Sequence, residues 1–412
     1  MKIYKEILQV LDNLNAQITS QTVVTETSLG AQVQNMSLQQ EKIDLIRRII
    51  IDILTFQDEL LHVAVYEWMM AKQMDTDVVK ITQPSLEKYL IRASQQTQEN
   101  VTALDLLWKY YQSNNNPASA AKILHNLASK TGTMLTLKER LSYLARAVMC
   151  MRSDKVGYAP HLGVFLKDLE DKLDMAQVQE QVLNAIINIK TTQPNAEQAI
   201  TALNSGLYDL TQLYEEFCDP FNLWECKLAI IDCAGYSDNA LIENIWHHII
   251  EDELRKSTGP ADDRMADILN KITLLIGRYK NSSNCVPLDY IIERLEIISV
   301  KLRACAKLVP DAVSLEVPME MVVQIYNDLI CSSTTDQFWS MGENEFHLAD
   351  AFTELVNKFL ANSNSYDHHL RIKIKATCED VVAKLLTTLY SKPNAGQLIN
   401  MLKNVQARLA RC

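Results

Sequence analysis

Apolar positions recur along most of the chain at the three-and-four spacing of a helix that buries one face. Leu104, Leu107, Trp108 and Tyr111 follow it, and after Asn114-Asn115-Asn116-Pro117 the series Ala120, Ala121, Leu124, Leu127 and Ala128 follows it again. Two antiparallel helices joined by a tight turn are predicted. Leu137, Leu141, Leu144, Ala145 and Val148 extend the pattern, with Thr136 and Glu139 spaced as a capping box. Leu241, Ile242, Ile245, Trp246, Ile249 and Ile250 form a wider stripe, preceded by Ser237 and Asp238 as N-cap candidates. Strand alternation bounded by turns is nowhere convincing.

Proline marks the boundaries. Pro84, Pro117, Pro160, Pro194, Pro220, Pro260, Pro287, Pro310, Pro318 and Pro393 all fall between apolar-periodic segments or in the first turn of one. There a missing N–H is harmless. Successive spacings from Pro84 to Pro287 lie between 26 and 43 residues, enough for one or two helices and a turn, but too irregular for a tetratricopeptide or ankyrin array. The expected fold class is therefore all-α, an irregular α-solenoid of stacked antiparallel helical hairpins, with a compact multi-helix bundle as the alternative.

Two stretches lack periodicity. Asn15 to Ser37 is rich in Thr, Ser, Gln and Asn and is expected to be a long loop after a short first helix. Cys331 to Asn344 carries Phe338 and Trp339 among polar residues, a candidate exposed binding feature whose commoner fate is to pack back on the array. The predicted organisation is residues 1–37 as short helix and polar loop, 38–365 as solenoid body, and 366–412 as a basic helix pair closing it.

Composition supports long elements: glycine and proline number 10 each in 412 residues, against usual shares of roughly 7% and 5%. The net charge of −11 argues against a protein that wraps nucleic acid directly. The charge is uneven, however. Tyr366 to Cys412 holds eight Lys and Arg against three Asp and Glu, a basic tip on an acidic body. Such a block is most often a solvated face, and an acidic partner segment is the functional alternative. The nine cysteines, lying mostly in apolar helical patterns, are expected to be reduced and to form no structural disulfides.

The sequence carries no marked catalytic, metal or phosphate-binding motif. No Cys-x-x-Cys pair exists, and Cys226 with Cys233 is spaced i, i+7 on one helix, so no zinc site is expected. A di-metal carboxylate bundle needs two Glu-x-x-His motifs, and only Glu59 with His62 is present. His247 with Glu251 fits an ordinary helix-surface pair, and His368-His369 is similar. No glycine-rich phosphate loop occurs, since the glycines are scattered singly. Asn100 and Asn281 sit in sequon-like triplets to which no role is given. Catalytic, metal and cofactor residues are therefore expected to be none, and the chain is expected not to be an enzyme.

Several segments go further. LDLLWKYYQSNNNPASAAKILHNLA (104–128), LTLKERLSYLARAVM (135–149) and above all FCDPFNLWECKLAIIDCAGYSD (217–238) resemble the carboxyl-terminal helical domain of the large inner-ring scaffold nucleoporins of the 155/170 type. LIRASQQTQEN (90–100), DDRMADILNKITLLIG (262–277), VPLDYIIERLE (286–296) and VPMEMVVQIYNDLI (317–330) look like the same family in the same order. The resemblance implies a distal solenoid fragment of a longer chain, located at the nuclear envelope in the nuclear pore complex. It implies an architectural role in the inner ring. The implied partners are other nucleoporins: the linker segment of a Nup98-like phenylalanine-glycine nucleoporin and other inner-ring adaptors. Membrane contact is expected only through an amino-terminal propeller absent from this chain. A cargo-binding solenoid adaptor in transport or trafficking is the alternative. No groove residues follow from the resemblance. Tyr326, Phe338, Trp339 and Phe352, near the basic tip, are the candidate partner-binding residues, each more often core than contact.

Overall fold

The computed structural model describes residues 2–19, 29–96, 101–153, 159–191, 193–282, 284–333, 338–339, 344–392 and 395–411. Among them every regular element is helical, and the chain divides into two units, Met1–Asp209 and Leu210–Cys412.

The first unit contains α1 (Lys2–Thr19), α2 (Leu29–Leu54), α3 (Glu59–Ala71), the single turn α4 (Asp75–Val78), α5 (Pro84–Gln96), α6 (Val101–Ser113), α7 (Pro117–Ser129), α8 (Leu137–Met151), the long α9 (Pro160–Ile189) and α10 (Ala196–Ser205). From α6 to α10 each helix packs on the one before it, and α5 packs on α3. The second unit opens with α11 (Leu210–Gln212), a π-helical segment Leu213–Cys218 and α12 (Asp219–Phe221). It continues through α13 (Trp224–Ala234), α14 (Asn239–Lys256), α15 (Ala261–Tyr279), α16 (Leu288–Leu302), α17 (Leu308–Glu316), α18 (Met319–Ser333), α19 (Asn344–Ala361), α20 (His368–Leu389) and α21 (Gly396–Leu409). From α14 onward most helices also touch the next but one, α15 on α17, α17 on α19 and α19 on α21. Each unit is thus an irregular α-solenoid, with its core spread along the stack.

Local signals set the boundaries. Pro84, Pro117 and Pro160 each begin a helix, and Pro260 and Pro287 stand at N-caps. Pro393 lies outside the described residues. The capping box of α8 is formed in both directions, Glu139 N–H reaching Thr136 Oγ1 at 3.3 Å and Thr136 N–H reaching Glu139 Oε2 at 2.7 Å. At α14 the cap is Asp238, whose carboxylate accepts from the amides of Ala240 and Leu241, and not Ser237. The stripe behind it is buried at Ile242, Ile245, Trp246, Ile249 and Ile250.

The stretch Asn15 to Ser37 differs from expectation. α1 runs to Thr19 and α2 starts at Leu29, so both flanks of the expected loop are helical, while 20–28 lie outside the described residues. Gln, Ala, Leu and Met all sustain a helix without apolar periodicity, which is why patterning missed it.

Two buried polar side chains fix the end of the first unit. Arg140, 1% exposed on α8, donates to the carbonyls of Ala128 (3.0 Å), Lys130, Gly132 (2.9 Å), Leu135 (3.4 Å) and Ser205 (3.0 Å). It thereby ties the C-terminal ends of α7 and α10 together, where unpaired carbonyls and the helix dipoles favour a cation. Gly132 takes φ +128°, a backbone conformation L side chains rarely adopt, and its N–H also reaches Ser205 O at 2.7 Å. Gln179, fully buried on α9, donates to Leu203 O and Gly206 O and accepts from Tyr208 N–H.

Candidate functional site

The four aromatics singled out from the sequence lie close together in the second unit, but three are core. Tyr326 on α18 and Phe352 on α19 are fully buried and Trp339 is 3% exposed, so a docking segment cannot reach Tyr326 or Phe352 in this structure. Phe338 is half-buried and meets the Trp339 ring edge-on at 5.0 Å. As contact residues, Tyr326 and Phe352 are therefore corrected. Both occupy the apolar face of an amphipathic helix, where a large aromatic gains most by burial.

Beneath them is a buried polar network. Glu296 on α16, with no exposed surface, accepts from the Tyr326 hydroxyl at one carboxylate oxygen and meets His347 Nε2 at 2.7 Å through the other. The Trp339 ring stacks over His347 at 6.5 Å and 16°. Burial and the facing carboxylate hold the Tyr326 phenol proton far above its ordinary range. The network joins α16, α18 and α19 without presenting a nucleophile.

Three grooves lined by described residues open on the surface. The first, about 560 Å³, lies between α18, α19 and α20, with Trp339, Leu348, Leu385 and Leu389 as its apolar floor and Cys331, Lys384 and Lys392 at its rim. The second, about 510 Å³, is bounded by Trp108, Pro117, Arg146 and Met149 on α6 to α8. Arg146 stacks on the Trp108 ring at 5.4 Å, a pairing common at binding hot spots. The third, about 270 Å³, is walled by Ile50, Ile51, Leu54 and Met69, with Arg47 bridged to Asp77 at 3.1 Å on its edge. Apolar floors with a few polar groups at the edge suit short peptides that bury one or two side chains. Of the four aromatics singled out from the sequence, Trp339 lines the first groove. Its basic rim did have a sequence signal, the cation-rich tail.

The residues weighed for metal or acid–base work are dispersed. His62 Nδ1 sits 2.9 Å from Ser85 Oγ in the core, away from any partner set for a metal. Glu251 pairs with Arg294 at 2.8 Å, while His247 lies edge-on to His248, which stacks on Trp224 at 4.0 Å and 11°. No cluster of three His, Cys, Asp or Glu side chains that could hold a metal occurs among the described residues. No helix among them is long and apolar enough to cross a membrane.

The segment with the most distinctive wording, Phe217 to Asp238, folds distinctively. It begins at the end of the π-helical segment, turns through Asn222 in the left-handed region (φ 53°), and enters α13. Lys227, 4% exposed, pairs with Asp219 and points its ammonium at the Trp224 ring, 4.0 Å from the centroid, and at Tyr214, 5.2 Å away. The caged cation needs Tyr, Asp, Trp and Lys at fixed offsets around one irregular turn.

Comparison with known proteins places that segment. The family model described as non-repetitive/WGA-negative nucleoporin C-terminal matches residues 1–393. The chain belongs to this nucleoporin family. Nuclear pore complex protein Nup154 of Drosophila melanogaster is 35% identical over 415 residues, covering 100% of this chain and 30% of that protein. Nucleoporin NUP170 of Saccharomyces cerevisiae is 22% identical over 240 residues, covering 57% of this chain and 16% of the relative. This nucleoporin chain therefore spans less than a third of the length of these curated relatives. Among solved structures, a mutant of the Chaetomium thermophilum Nup170 CTD superposes with a TM-score of 0.77 at 17% identity, covering 99% of this chain and 79% of that one. The Chaetomium thermophilum Nup170 CTD–Nup145N complex gives 0.72 at 16% identity, covering 98% and 80%. These likenesses show the shared solenoid fold. Family membership locates the nucleoporin at the nuclear pore complex of the nuclear envelope.

Proposed function

We propose that this solenoid is a structural arm of the nuclear pore inner ring that docks short linear segments of other nucleoporins, foremost the linker of a Nup98-like phenylalanine-glycine nucleoporin, together with other inner-ring adaptors. The observation that carries the reading is the solenoid fold shared with the Nup170 CTD, which crystallises in complex with Nup145N. The grooves supply the means. Each offers an apolar floor with a few polar groups at its edge, the arrangement by which helical repeats hold extended peptides. The role is binding and needs no catalytic group or cofactor. Direct binding of nucleic acid is not part of the role, and membrane contact is expected only through an amino-terminal propeller outside this segment.

Photobleaching of the tagged full-length protein tests the architectural half. A rim signal that does not recover on the timescale of cargo exchange is expected. Rapid exchange, or a vesicular signal, would instead fit a trafficking adaptor and overturn the reading.

A further inference from the structure

The turn between α14 and α15 carries chemistry that peptide docking does not use. It reads Arg255-Lys256-Ser257-Thr258-Gly259-Pro260. The last turn of α14 supplies Arg255 and Lys256, both exposed, and Ser257 leaves the helix extended (φ −68°, ψ 131°) ahead of exposed Thr258, Gly259 and Pro260. A hydroxyl on such a stretch, two places after an arginine and one after a lysine, has the charge pattern that basophilic protein kinases select with acidic pockets of their own. Ser142 follows Arg140, and Thr377 follows Lys375, by the same two places, but both stand inside helices, α8 and α20, where an extended kinase groove cannot take them.

A holder for the product stands beside it. Ser257 Oγ donates to the Leu254 carbonyl at 3.0 Å, and Arg264, from the first turn of α15, donates Nη2–H to the same oxygen at 3.3 Å. Hydroxyl and guanidinium therefore meet over one acceptor. The Arg264 Nε–H is buried and has no acceptor among the described residues, so part of the donor fork is unused. Arg255 and Lys256 are paired with Asp252 (3.0 Å) and Glu253 (2.9 Å). Of the two acids that open α15, Asp262 accepts the Cys305 N–H at 2.8 Å and Asp263 faces solvent. We propose that Ser257 is a phosphorylation site for a basophilic protein kinase, and that Arg264 holds the phosphate. In the transfer, Ser257 Oγ attacks the γ-phosphorus of ATP, an O–P bond forms as the bond to ADP breaks, and the hydroxyl proton passes to the kinase's base. The phosphate brings close to two negative charges and three acceptor oxygens. These draw the Arg264 fork off Leu254 O and replace a neutral tie between α14 and α15 with a charged one. The carbonyl end of α14 and the acids Asp262 and Asp263 oppose a phosphate here, so its charge is balanced through Arg264.

The full chain is incubated with the catalytic subunit of cAMP-dependent protein kinase and MgATP, and the modified positions are mapped by tandem mass spectrometry. Near-stoichiometric phosphate at Ser257 is expected, kept in Thr258→Ala and lost in Ser257→Ala. Phosphorus NMR then follows the second ionisation of the phosphate, with a phosphopeptide of residues 251–260, which lacks Arg264, as the reference. The folded chain is expected to titrate at least about half a pH unit below the peptide. Arg264→Gln, its folding checked by thermal melting, should return to the peptide's value. No phosphate at Ser257, or phosphate on Thr258 alone, overturns the modification site. A wild-type midpoint at or above the peptide's, a comparison that needs no variant to fold, or an unchanged midpoint in Arg264→Gln overturns the assignment of Arg264. Each of these results leaves the docking reading as it stands.

Discussion

Replacing Arg140 by methionine keeps most of the packing volume and removes the charge and the donor fork. The five carbonyls it holds come from the end of α7, the following loop and the end of α10. Burial pulls the guanidinium below its ordinary pKa, the nearby charge of Glu139 opposes that shift, and the direct contacts are all to backbone carbonyls. Hydrogen bonds from a charged donor contribute about 1.5–3 kcal/mol each. Water can replace the donor at the partly exposed carbonyls of Lys130, Gly132 and Ser205, whereas Ala128 and Leu135 are reached only from inside. The Arg140 Nε is buried without a partner, which lowers what the intact site contributes. The loss is therefore about 3–5 kcal/mol, the range for breaking a buried charged network. For a unit of this size that lowers Tm by about 6–20 °C. Differential scanning calorimetry of Arg140→Met and Arg140→Lys measures it. Lysine keeps the charge and part of the donor set and should recover part of the loss. A methionine variant melting within about 1 kcal/mol of wild type would refute the view that this cation binds two helix ends together.

Trp339→Ala should cost about 3–5 kcal/mol, as for any core tryptophan, and a loss below about 1 kcal/mol in chemical denaturation would show that the ring is not packed. Lys227→Met should cost about 1–2 kcal/mol, the cation–π share, and a stabilised variant would mean the cage is not favourable. His125 accepts from Lys172 Nζ at 2.8 Å, and burial together with that ammonium lowers its pKa below the ordinary value. A depressed histidine is neutral when folded, so its contribution is present at neutral pH and fades as pH falls through the ordinary value of about 6.5 toward the lowered folded one. Thermal melts across that window should show His125→Gln losing less stability on acidification than wild type, and equal losses would contradict the assignment.

Much of the fold could be read from the sequence because it rests on local rules. Proline at the first turn, the Thr136–Glu139 box and the stripe from Leu241 to Ile250 each declare themselves within a few residues. The polar flanks Asn15–Thr19 and Leu29–Ser37 did not, because their Gln, Ala, Leu and Met residues sustain a helix by propensity without an apolar period. The candidate site was less accessible. Tyr326 and Phe352 satisfy the same i, i+3, i+4 spacing whether they face a neighbour helix or a partner, so aromatic content alone cannot separate core from contact. Glu296 meets His347 across 51 residues, and Arg140 meets Ser205 across 65. Pairings of that range depend on how helices stack, and no local window contains them. The basic tail was visible, but only the structure shows that Lys384 and Lys392 line a groove between α18, α19 and α20.

The central claim is that this solenoid docks nucleoporin linkers, and isothermal titration calorimetry of the Nup98-like linker into the intact chain tests it most directly. Saturable binding with one segment per chain and a Kd no weaker than tens of micromolar, about −6 kcal/mol or more favourable, is predicted. A flat titration at those concentrations would contradict it.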